Sequence, residues 1–418
     1  MSINQQMRDI GEKSVKASEE INQISTESKN NLLIRIAGQI EKDKQLIVNA
    51  NQEDILKAEG SISLSMIDRL MLNEDRIESI IKSINDIVKL KDPTGIVINS
   101  NTRPNGMVVE RVSVPIGVIG IIYESRPNVT VDASVLCLKA GNSVILRGGK
   151  ESYFSNLQLV KSMQIAIEEE GLDRNMIQFI ETTDRAAVDI MLSDMISYID
   201  VVIPRGGKGL VKKVQEKARI PVIGHLDGIC HLYIDEFADI NKAVSIAENS
   251  KLRRTGICGA TETLLIHKKC IDTHLPQIIE KLKLGGCEIR VDKECQKLFP
   301  EALLADEEDW KTEYLEAIIS IKAVEDIYQA MQHINIYGSQ HTESIVTENK
   351  KHANIFLNQV GSAIVMHNTS TQFADGGEFG LGAEIGIATG KIHARGPVGL
   401  DGLTTYKYIV KGNGQIRT

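Results

Sequence analysis

A cysteine between glycines is the side chain of this sequence that is best suited to covalent chemistry. Cys258 lies within the run TGICGAT at 255–261. At the apex of a glycine-rich loop a sulfur is exposed, and nearby backbone N–H groups favour the nucleophilic thiolate. Cations at 251, 253 and 254 stand just upstream. The alternative is an inert thiol, because a single cysteine is more often structural than catalytic.

The other five cysteines do not suggest chemistry. None of the six forms a CxxC pair or has zinc-finger spacing, so no metal site is predicted. Cys137 lies in an apolar helical stretch and Cys230 in or beside a strand, which favours a structural role for both. The remaining three lie among charged residues and are expected to be incidental: Cys270, Cys287 and Cys295. Such dilute thiols predict a reducing compartment.

Two glycine-rich turns could bind an anion. The first is DVVIPRGGKG at 200–209, where a predicted strand is followed by a helix over 210–218. Free backbone N–H groups and the helix dipole at such a turn favour negative charge. Its candidate binding residues are Arg205, Gly206, Gly207 and Gly209, with Lys208 beside them. The spacing fits neither a dinucleotide fingerprint nor a P-loop, so an ordinary strand-to-helix turn is the alternative.

The second turn is LRGGKE at 146–151, which also follows a strand and precedes a helix. Arg147 and Lys150 place a cation on either side of Gly148 and its neighbouring glycine. Loops at the carboxyl ends of strands are where open α/β sheets bind nucleotides. A solvated loop without a ligand is the alternative at this turn.

Composition excludes several classes of protein. The 418 residues suffice for two to three domains, and 48 Lys+Arg against 56 Asp+Glu leave no basic excess for binding nucleic acid. The first twenty residues are polar and lack the apolar core of a signal peptide. The longest apolar stretch, 112–123, is broken by Ser, Pro and Gly and falls short of the ~20 residues of a membrane span. We therefore expect a soluble cytoplasmic protein that contacts no membrane.

The pattern of elements predicts an α/β protein. Residues 5–90 have the apolar spacing of helices. Beyond them strands and helices alternate, which is typical of a doubly wound, mostly parallel sheet. The predicted strands include 118–122, 144–146, 201–203, 222–223, 263–266, 318–323 and 344–346. The tail 403–410 alternates with period two and has no helix to cover it, so it should pair with another edge strand.

Several longer runs resemble the gamma-glutamyl phosphate reductase family of the aldehyde dehydrogenase superfamily. They are VPIGVIGIIYESRPNVT at 114–130, KAGN at 139–142, IPRGG at 203–207, ETLL at 262–265, GSQH at 338–341 and HARGPVGL at 393–400. The resemblance implies two doubly wound α/β domains and a β-strand extension that joins subunits. The implied NADP-binding domain is 1–96 with 115–230, the catalytic domain is 231–395, and the oligomerisation extension is 97–114 with 396–418.

The resemblance also implies a reaction, the second step of proline biosynthesis from glutamate. Cys258 attacks the acyl phosphate of L-glutamyl 5-phosphate and forms a thioester, which NADPH reduces to L-glutamate 5-semialdehyde. Oxyanion donors are expected at Ser125, Asn128 and the backbone of Cys258. Arg126 and Arg395 are the candidates for the substrate phosphate or carboxylate. Glu313 resembles the superfamily glutamate that holds the nicotinamide ribose, against the alternative of a solvated carboxylate.

Three departures from the family patterns affect this interpretation. His225 stands 33 residues before Cys258, where the superfamily has its general-base glutamate in a Leu-Glu-Leu-Gly-Gly motif. Since a hydrolytic dehydrogenase needs that base to activate water, its loss favours reduction of an acyl phosphate. Ser125 replaces the oxyanion asparagine of the superfamily. Gly259 follows the nucleophile where the closer family often has asparagine.

Cofactor, partners and alternative functions complete the expectations. Arg147 and Lys150 would clamp the 2′-phosphate of NADP(H), unless Arg205 or Lys208 holds it instead. The extension implies a homo-oligomer, a dimer or higher, and a transient contact with glutamate 5-kinase is a further expected partner. Two other functions stay open: an NAD-dependent hydrolytic aldehyde dehydrogenase and a non-catalytic nucleotide-binding scaffold.

Overall fold

The computed structural model describes residues 2–417, without the side chains of residues 64 and 65, and the chain forms two compact units. Unit 1 contains residues 2–224, 380–386 and 398–417. Unit 2 contains residues 225–379 and 387–397. No helix within the described residues has the length and apolar character needed to cross a membrane.

The helices of the described chain follow in order. They are α1 Ile3–Ile21, α2 Thr26–Lys42, α3 Lys44–Ala58, α4 Leu64–Leu70, α5 Glu74–Lys89, α6 Pro127–Lys139, α7 Tyr153–Glu169, α8 Ala186–Ser193, α9 Lys208–Lys217, α10 Ile240–Leu252, α11 Leu275–Leu284, α12 Lys293–Gln296, α13 Ile327–Tyr337 and α14 Lys350–Gln359. Short 3-10 turns are Lys150–Ser152, Arg174–Met176, Lys268–Cys270, Asp309–Lys311, Thr371–Phe373 and Asp401–Leu403.

The strands of the described chain are β1 Val97–Thr102, β2 Val108–Pro115, β3 Val118–Tyr123, β4 Ser143–Arg147, β5 Ile177–Phe179, β6 Val201–Arg205, β7 Cys230–Ile234, β8 Thr261–His267, β9 Glu288–Val291, β10 Leu303–Leu304, β11 Ile318–Val324, β12 Thr342–Val346, β13 Ile364–His367, β14 Ile387–Ala388, β15 Gly396–Pro397 and β16 Thr404–Lys411. The short β14 and β15 pair antiparallel in unit 2.

The predicted helical region at 5–90 is confirmed as α1–α5. Serine or asparagine side chains begin four of these five helices, because an oxygen at the N-cap accepts a backbone N–H of the first turn. Ser2, Ser25 and Asn73 each accept such a bond, from the residue three positions later. Isoleucines at 77, 80, 84 and 87 form the buried stripe of α5.

Unit 1 is built on a parallel sheet in the order β5-β4-β3-β6. All six residues of β3 are buried, as its continuous apolar sequence requires. Helices α1, α8 and α9 pack on this sheet through Met7, Met191 and Val214. Because β4 and β6 flank β3 on opposite sides and the chain reaches them in separate crossovers, the strand order reverses there. A reversal of this kind opens a crevice at the carboxyl ends of the strands.

A second sheet of unit 1 is antiparallel, in the order β1-β2-β16. The tail strand pairs with β2 from Thr404 to Lys411, which confirms the predicted pairing of the tail. All of β1 is exposed, and so are Tyr406, Tyr408 and Val410 of β16. Within residues 2–417 no other strand pairs with the outer edge of β1 or of β16.

The predicted strand at 222–223 is wrong. Val222 makes only an isolated bridge to Val202 of β6. The amide of Val202 donates to the carbonyl of Pro221, and the amide of Ile223 donates to the carbonyl of Val202. Pro221 itself has no N–H to donate, so the ladder cannot lengthen in that direction.

Unit 2 is built on a parallel sheet of seven strands in the order β10-β9-β11-β8-β7-β12-β13. Successive residues of β8 enter different apolar clusters. Leu264 packs with Ala247 of α10 and with α11, whereas Leu265 packs with Phe356 of α14 and with α13. The sheet is therefore covered by helices on both faces, and its strands β7, β8 and β12 are buried throughout.

The compact units divide the chain at other points than the predicted domains. The break falls at Gly224 rather than at 230, because the amides of Gly228 and Ile229 donate to side chains of unit 2. The predicted extension belongs to unit 1, where the hydroxyl of Ser113 donates to the carbonyl of Pro93. Residues 380–386 also belong to unit 1. The NADP-binding, catalytic and oligomerisation roles of these segments stay predictions.

Candidate active site

Three neighbouring strands of unit 2 begin at the same edge of its sheet. β8, β7 and β12 are adjacent and parallel, so the residues that precede them lie side by side. Cys258 precedes β8 in a turn closed by a hydrogen bond of 3.0 Å from the Ala260 amide to the Ile257 carbonyl. His341 immediately precedes β12. We call this edge the amino edge.

Cys258 differs from the other cysteines in its exposure. Among the described residues it is the one cysteine that is not fully buried. Burial raises the pKa of the other five thiols. It raises the pKa of Cys270 and Cys287 to about 11, and it raises the pKa of Cys137, Cys230 and Cys295 further. Those five thiols therefore stay protonated and unreactive at neutral pH. The three cysteines expected to be incidental, Cys270, Cys287 and Cys295, all pack in the core of unit 2 despite their charged neighbours along the chain.

The segment before β7 packs directly on the cysteine loop. A Cβ at Gly228 would lie 2.4 Å from the Cys258 carbonyl oxygen and 2.6 Å from its Cα, so only glycine fits there. The Gly228 amide donates to Oε1 of Glu313 at 2.9 Å. Glu313 is thus tied to the backbone beside the cysteine and is not a solvated carboxylate. Its contact with a nicotinamide ribose stays a prediction.

His225 has one ring nitrogen fixed by the backbone. Its Nδ1 lies 2.6 Å from the carbonyl oxygen of Ile387. A carbonyl oxygen only accepts, so Nδ1 carries the proton and Nε2 of the neutral ring carries the lone pair. One ligand atom each of His225, Cys258 and His341 lie within 4.8 Å of one another. The structure thereby brings the predicted residues Cys258 and His225 together.

His341 and Cys230 are functional candidates that the sequence analysis did not single out. Nδ1 of His341 lies 2.9 Å from the hydroxyl of Thr342 and 3.5 Å from the sulfur of Cys230. The Cys230 thiol donates to the Cys258 carbonyl at 3.0 Å. A signal for His341 was present, because a histidine directly before a buried parallel strand must lie at the amino edge. The neighbouring strands that would complete the cluster were not apparent from the sequence.

A buried ion pair supports the segment that carries Glu313. The ammonium of Lys251 donates to Glu262, and both side chains are completely buried. Glu262 also accepts the amide of Leu315 at 3.3 Å, two residues after Glu313. Burial raises the pKa of Glu262 to about 7, although Lys251 opposes the shift. The upstream cation of the cysteine loop at 251 therefore faces Glu262.

The loop after β3 in unit 1 holds three of the predicted residues. Ser125 has φ +34°, a strained conformation for a residue with a side chain, and its buried hydroxyl has no partner among the described residues. Arg126 is the N-cap of α6. Asn128 is exposed, and its amide donates to Asp132 at 3.0 Å. The oxyanion and substrate roles of these residues stay predictions.

The turn after β4 separates its two cations. Arg147 is buried and its guanidinium donates to the carbonyls of Gly148 and Thr183, the latter at 3.1 Å. Burial lowers its pKa from the ordinary value. Lys150 is exposed at the start of a 3-10 turn. Arg147 therefore shapes the turn, and Lys150 is the cation of the pair that faces solvent.

The turn after β6 already binds a carboxylate of the protein itself, the side chain of Glu124. Oε2 of Glu124 accepts the amide of Gly207 at 2.8 Å, at the N-terminus of α9. A Cβ at Gly206 would lie 2.6 Å from that oxygen. Glu124 was not predicted, although it directly follows β3 and thus adjoins the end of β6. The turn donates a backbone N–H to a carboxylate at a helix N-terminus, which is the chemistry that a phosphate of a dinucleotide requires.

The last predicted residue, Arg395, belongs to unit 2. It is exposed, and one of its guanidinium nitrogens donates to the carbonyl of Gly361. The predicted residues thus fall into two sets. His225, Cys258, Glu313 and Arg395 belong to unit 2, and the loops after β3, β4 and β6 belong to unit 1.

Comparison with known proteins identifies the family. Residues 2–296 match the model of the aldehyde dehydrogenase family. A gamma-glutamyl phosphate reductase from Brucella suis biovar 1 (strain 1330) is 52% identical over 416 residues, which cover 99% of each chain. A crystal structure of gamma-glutamyl phosphate reductase from Thermotoga maritima is 43% identical, with a TM-score of 0.97 over 99% of this chain and 100% of that one.

A more distant structure shares the fold alone. An acetylating aldehyde dehydrogenase from Geobacillus thermoglucosidasius is 17% identical, with a TM-score of 0.69 over 100% of this chain and 98% of that one. The predicted aldehyde dehydrogenase-like α/β fold is confirmed. The chain belongs to the aldehyde dehydrogenase family and, within it, to the gamma-glutamyl phosphate reductases.

Proposed function

We propose that the protein reduces L-glutamyl 5-phosphate to L-glutamate 5-semialdehyde and phosphate with NADPH, the second step of proline biosynthesis from glutamate. The observation that carries the proposal is the exposure of Cys258 beside two imidazoles, while the other five thiols are buried. The name of the relatives supplies the substrate class.

The side chains of unit 2 supply the nucleophile. Nε2 of His225 accepts the proton of the Cys258 thiol, since Nδ1 is already protonated toward Ile387. The thiolate attacks the acyl carbon, the C–O bond to phosphate breaks, and a thioester remains on Cys258. The Cys258 amide, with Ser125 and Asn128, is proposed to stabilise the oxyanion. Arg126 and Arg395 bind the leaving phosphate and the substrate carboxylate.

NADPH, when bound, supplies the hydride that reduces the thioester. The residues proposed to hold it are in unit 1, except Glu313: Arg147, Gly148, Lys150, Arg205, Gly206, Gly207 and Gly209. Lys150 would neutralise the 2′-phosphate, and Arg147 fixes the turn that presents Lys150. The glycine turn before α9 would hold another phosphate through the Gly207 amide, which Glu124 engages in this structure.

Phosphate dependence of the reverse reaction tests this function. With glutamate 5-semialdehyde and NADP, we expect NADPH to form continuously only when inorganic phosphate is present, because phosphate must cleave the thioester. Steady formation of NADPH without phosphate would contradict the proposal and favour a hydrolytic dehydrogenase. Absence of turnover with and without phosphate would favour a non-catalytic scaffold.

We also propose a homo-oligomer formed through β1 and β16. The support is the row of exposed apolar side chains and strand edges at Tyr406, Tyr408 and Val410. Replacing Tyr408 and Val410 with lysine should lower the mass measured by light scattering toward one chain, whereas Lys161→Ala, on α7 of the same unit, should leave it unchanged. An unchanged mass of the double variant would contradict this interface. Contact with glutamate 5-kinase and the reducing compartment stay predictions.

A further inference from the structure

The amino edge of unit 2 carries a donor set that suits a soft metal ion. His225, Cys258 and His341 each offer one ligand atom, and these three atoms lie within 4.8 Å of one another. Thiolate and imidazole are the ligands that zinc prefers, while magnesium and calcium prefer oxygen. Spacing along the sequence concealed the set, because its members come from three different strand connections.

The contact of Nδ1 decides which nitrogen of each histidine ring carries the lone pair. Nδ1 of His225 donates to the Ile387 carbonyl, so Nε2 is left with a lone pair. Nδ1 of His341 faces the Thr342 hydroxyl at 2.9 Å and the Cys230 sulfur at 3.5 Å. Its Nε2 is buried and has no hydrogen-bond partner among the described residues. A buried imidazole nitrogen without a hydrogen-bond partner is a candidate metal ligand.

We propose that Cys258, His225 and His341 bind Zn²⁺, with water at the fourth position, and that the bound ion reversibly inhibits the enzyme. The inhibition, though not the binding, rests on the proposed role of Cys258 as the nucleophile. A sulfur that is bonded to zinc cannot attack the acyl phosphate. The site therefore makes the reductase sensitive to free zinc.

The geometry requires only small movements. Tetrahedral zinc with Zn–S of about 2.3 Å and Zn–N of about 2.0 Å places its ligand atoms ~3.3–3.6 Å apart. The present separations of up to 4.8 Å would shorten by as much as about 1.2–1.5 Å. Cys258 lies in a loop rather than in a strand, so this change needs only side-chain and loop adjustments.

The binding step balances as an exchange of a proton for the metal. The S–H bond of Cys258 breaks, an S–Zn bond forms, and one proton passes to solvent. His225 binds through the lone pair of Nε2, and His341 binds as the neutral tautomer that carries its proton on Nδ1, facing Thr342. Cys230 does not join the ligand set, because its thiol donates to the Cys258 carbonyl. It instead orients His341 from the second layer.

Cobalt(II) is the probe for binding, because thiolate-to-cobalt charge transfer absorbs in the near ultraviolet and does not depend on turnover. We expect one equivalent of Co²⁺ to produce this band in the wild-type protein and in Cys287→Ser, a buried-cysteine control. Cys258→Ser should lose the band. His341→Gln should weaken Zn²⁺ affinity, measured by displacement of Co²⁺, by at least about tenfold. If that variant does not fold, His225→Gln provides the same test.

Inhibition is measured separately. Micromolar Zn²⁺, but not Mg²⁺, should stop the wild-type reductase, and a chelator should restore it. A charge-transfer band that persists in Cys258→Ser, unchanged affinity in His341→Gln, or the absence of any band in active wild-type protein would overturn the proposal. A protein that shows the band but no phosphate-dependent turnover would retain the metal site and contradict the proposed function instead.

Discussion

The two units use opposite edges of their parallel sheets. In unit 1 the candidate residues follow strands, in the crevice where β3, β4 and β6 end. In unit 2 they precede strands, at the amino edge where β7, β8 and β12 begin. The carboxyl edge of unit 1 offers mostly backbone amides and glycines, whereas the amino edge of unit 2 offers a thiol and imidazoles.

This difference has a physical basis. Loops at the carboxyl ends of strands lead into helix N-termini, whose free N–H groups bind anions such as phosphate. Loops at the amino ends follow helix C-termini, which present carbonyls and do not attract anions. A site at the amino edge therefore depends on side chains, and each of them must be held by its own contacts. Cys258, His225 and His341 meet this requirement through Cys230, Ile387 and Thr342.

Among changes at the amino edge, removal of the Cys258 thiol should have the largest effect on activity. Cys258→Ser should lower kcat by at least about a thousandfold, because a hydroxyl is a far weaker nucleophile at neutral pH. Fluorescence titration should show NADPH binding within about twofold of wild type, since the proposed cofactor residues are mainly in unit 1. The matched control, Cys287→Ser, should lower the thermal midpoint and leave kcat unchanged. Retention of a tenth of wild-type activity by Cys258→Ser would contradict the assignment of the nucleophile.

Removal of a cation tests the carboxyl edge of unit 1. Lys150→Ala should raise the KM for NADPH about 10- to 100-fold, the value of one charge-assisted contact, and leave the KM for NADH nearly unchanged. Lys161→Ala, which removes an exposed cation from α7, is the control. Equal losses for both cofactors would show that Lys150 does not act on the 2′-phosphate.

Arg147 gives a different expectation from the same turn. Its guanidinium donates to two backbone carbonyls, so Arg147→Ala should lower the thermal midpoint as well as NADPH affinity. For this reason the single Lys150 variant separates charge from structure better than a double variant does.

A buried imidazole behind the amino edge should make the fold sensitive to acid. His333 packs against His231 of β7, and burial lowers its pKa to about 2. In the unfolded chain His333 binds a proton near pH 6.5, whereas in the folded protein it stays neutral at that pH. The free energy of unfolding therefore decreases as the pH falls below about 6.5. The loss between pH 7 and pH 5 should be about 2 kcal/mol.

Urea unfolding at the two pH values measures this loss. His333→Phe keeps an aromatic ring and removes the titrating group. Between pH 7 and pH 5 the free energy of unfolding of this variant should therefore fall by about 2 kcal/mol less than that of the wild type. His274→Phe, at a partly exposed histidine of the same unit, is the control and should keep the wild-type dependence. An identical pH dependence of His333→Phe and wild type would show that His333 does not cause the acid sensitivity.

The smallest expected effect concerns the anion already present in unit 1. Glu124→Gln keeps an oxygen for the Gly207 amide but removes the negative charge that competes with phosphate. We expect the KM to fall about threefold for NADPH and NADH alike, because the turn would bind a phosphate that both share. Glu216→Gln, at the far end of α9, should change neither. A lower KM for NADPH alone would show that this turn binds the 2′-phosphate instead.

Local signals in the sequence were sufficient for much of the fold and part of the site. The apolar spacing predicted α1–α5, the period of two predicted β16, and the glycine turns were correctly placed at strand ends. Cys258 was singled out from its neighbouring glycines, and its role as the nucleophile stays a prediction. These features depend on residues that are close in sequence, where propensity and periodicity act directly.

Features that depend on strand order were not predictable. The contact of Glu124 with Gly207 requires β3 and β6 to be neighbours, and the cluster of His341 with Cys258 requires β12 and β8 to flank β7. The isolated bridge at Val222 was mistaken for a strand, because two β-branched or aliphatic residues carry no information on ladder length. The burial of Cys270, Cys287 and Cys295 was also missed, since charged neighbours along the chain do not reveal which face packs inward.

The central claim is that Cys258 carries the acyl group, and a single-turnover experiment tests it most directly. The protein is mixed with glutamate 5-semialdehyde and NADP in the absence of phosphate. NADPH is followed by absorbance, and the modified peptide is identified by mass spectrometry. We predict a burst of about one NADPH per chain that then stops, an acyl group on the peptide that contains Cys258, and resumed turnover when phosphate is added. Absence of a burst, or an acyl group on another residue, would contradict the account.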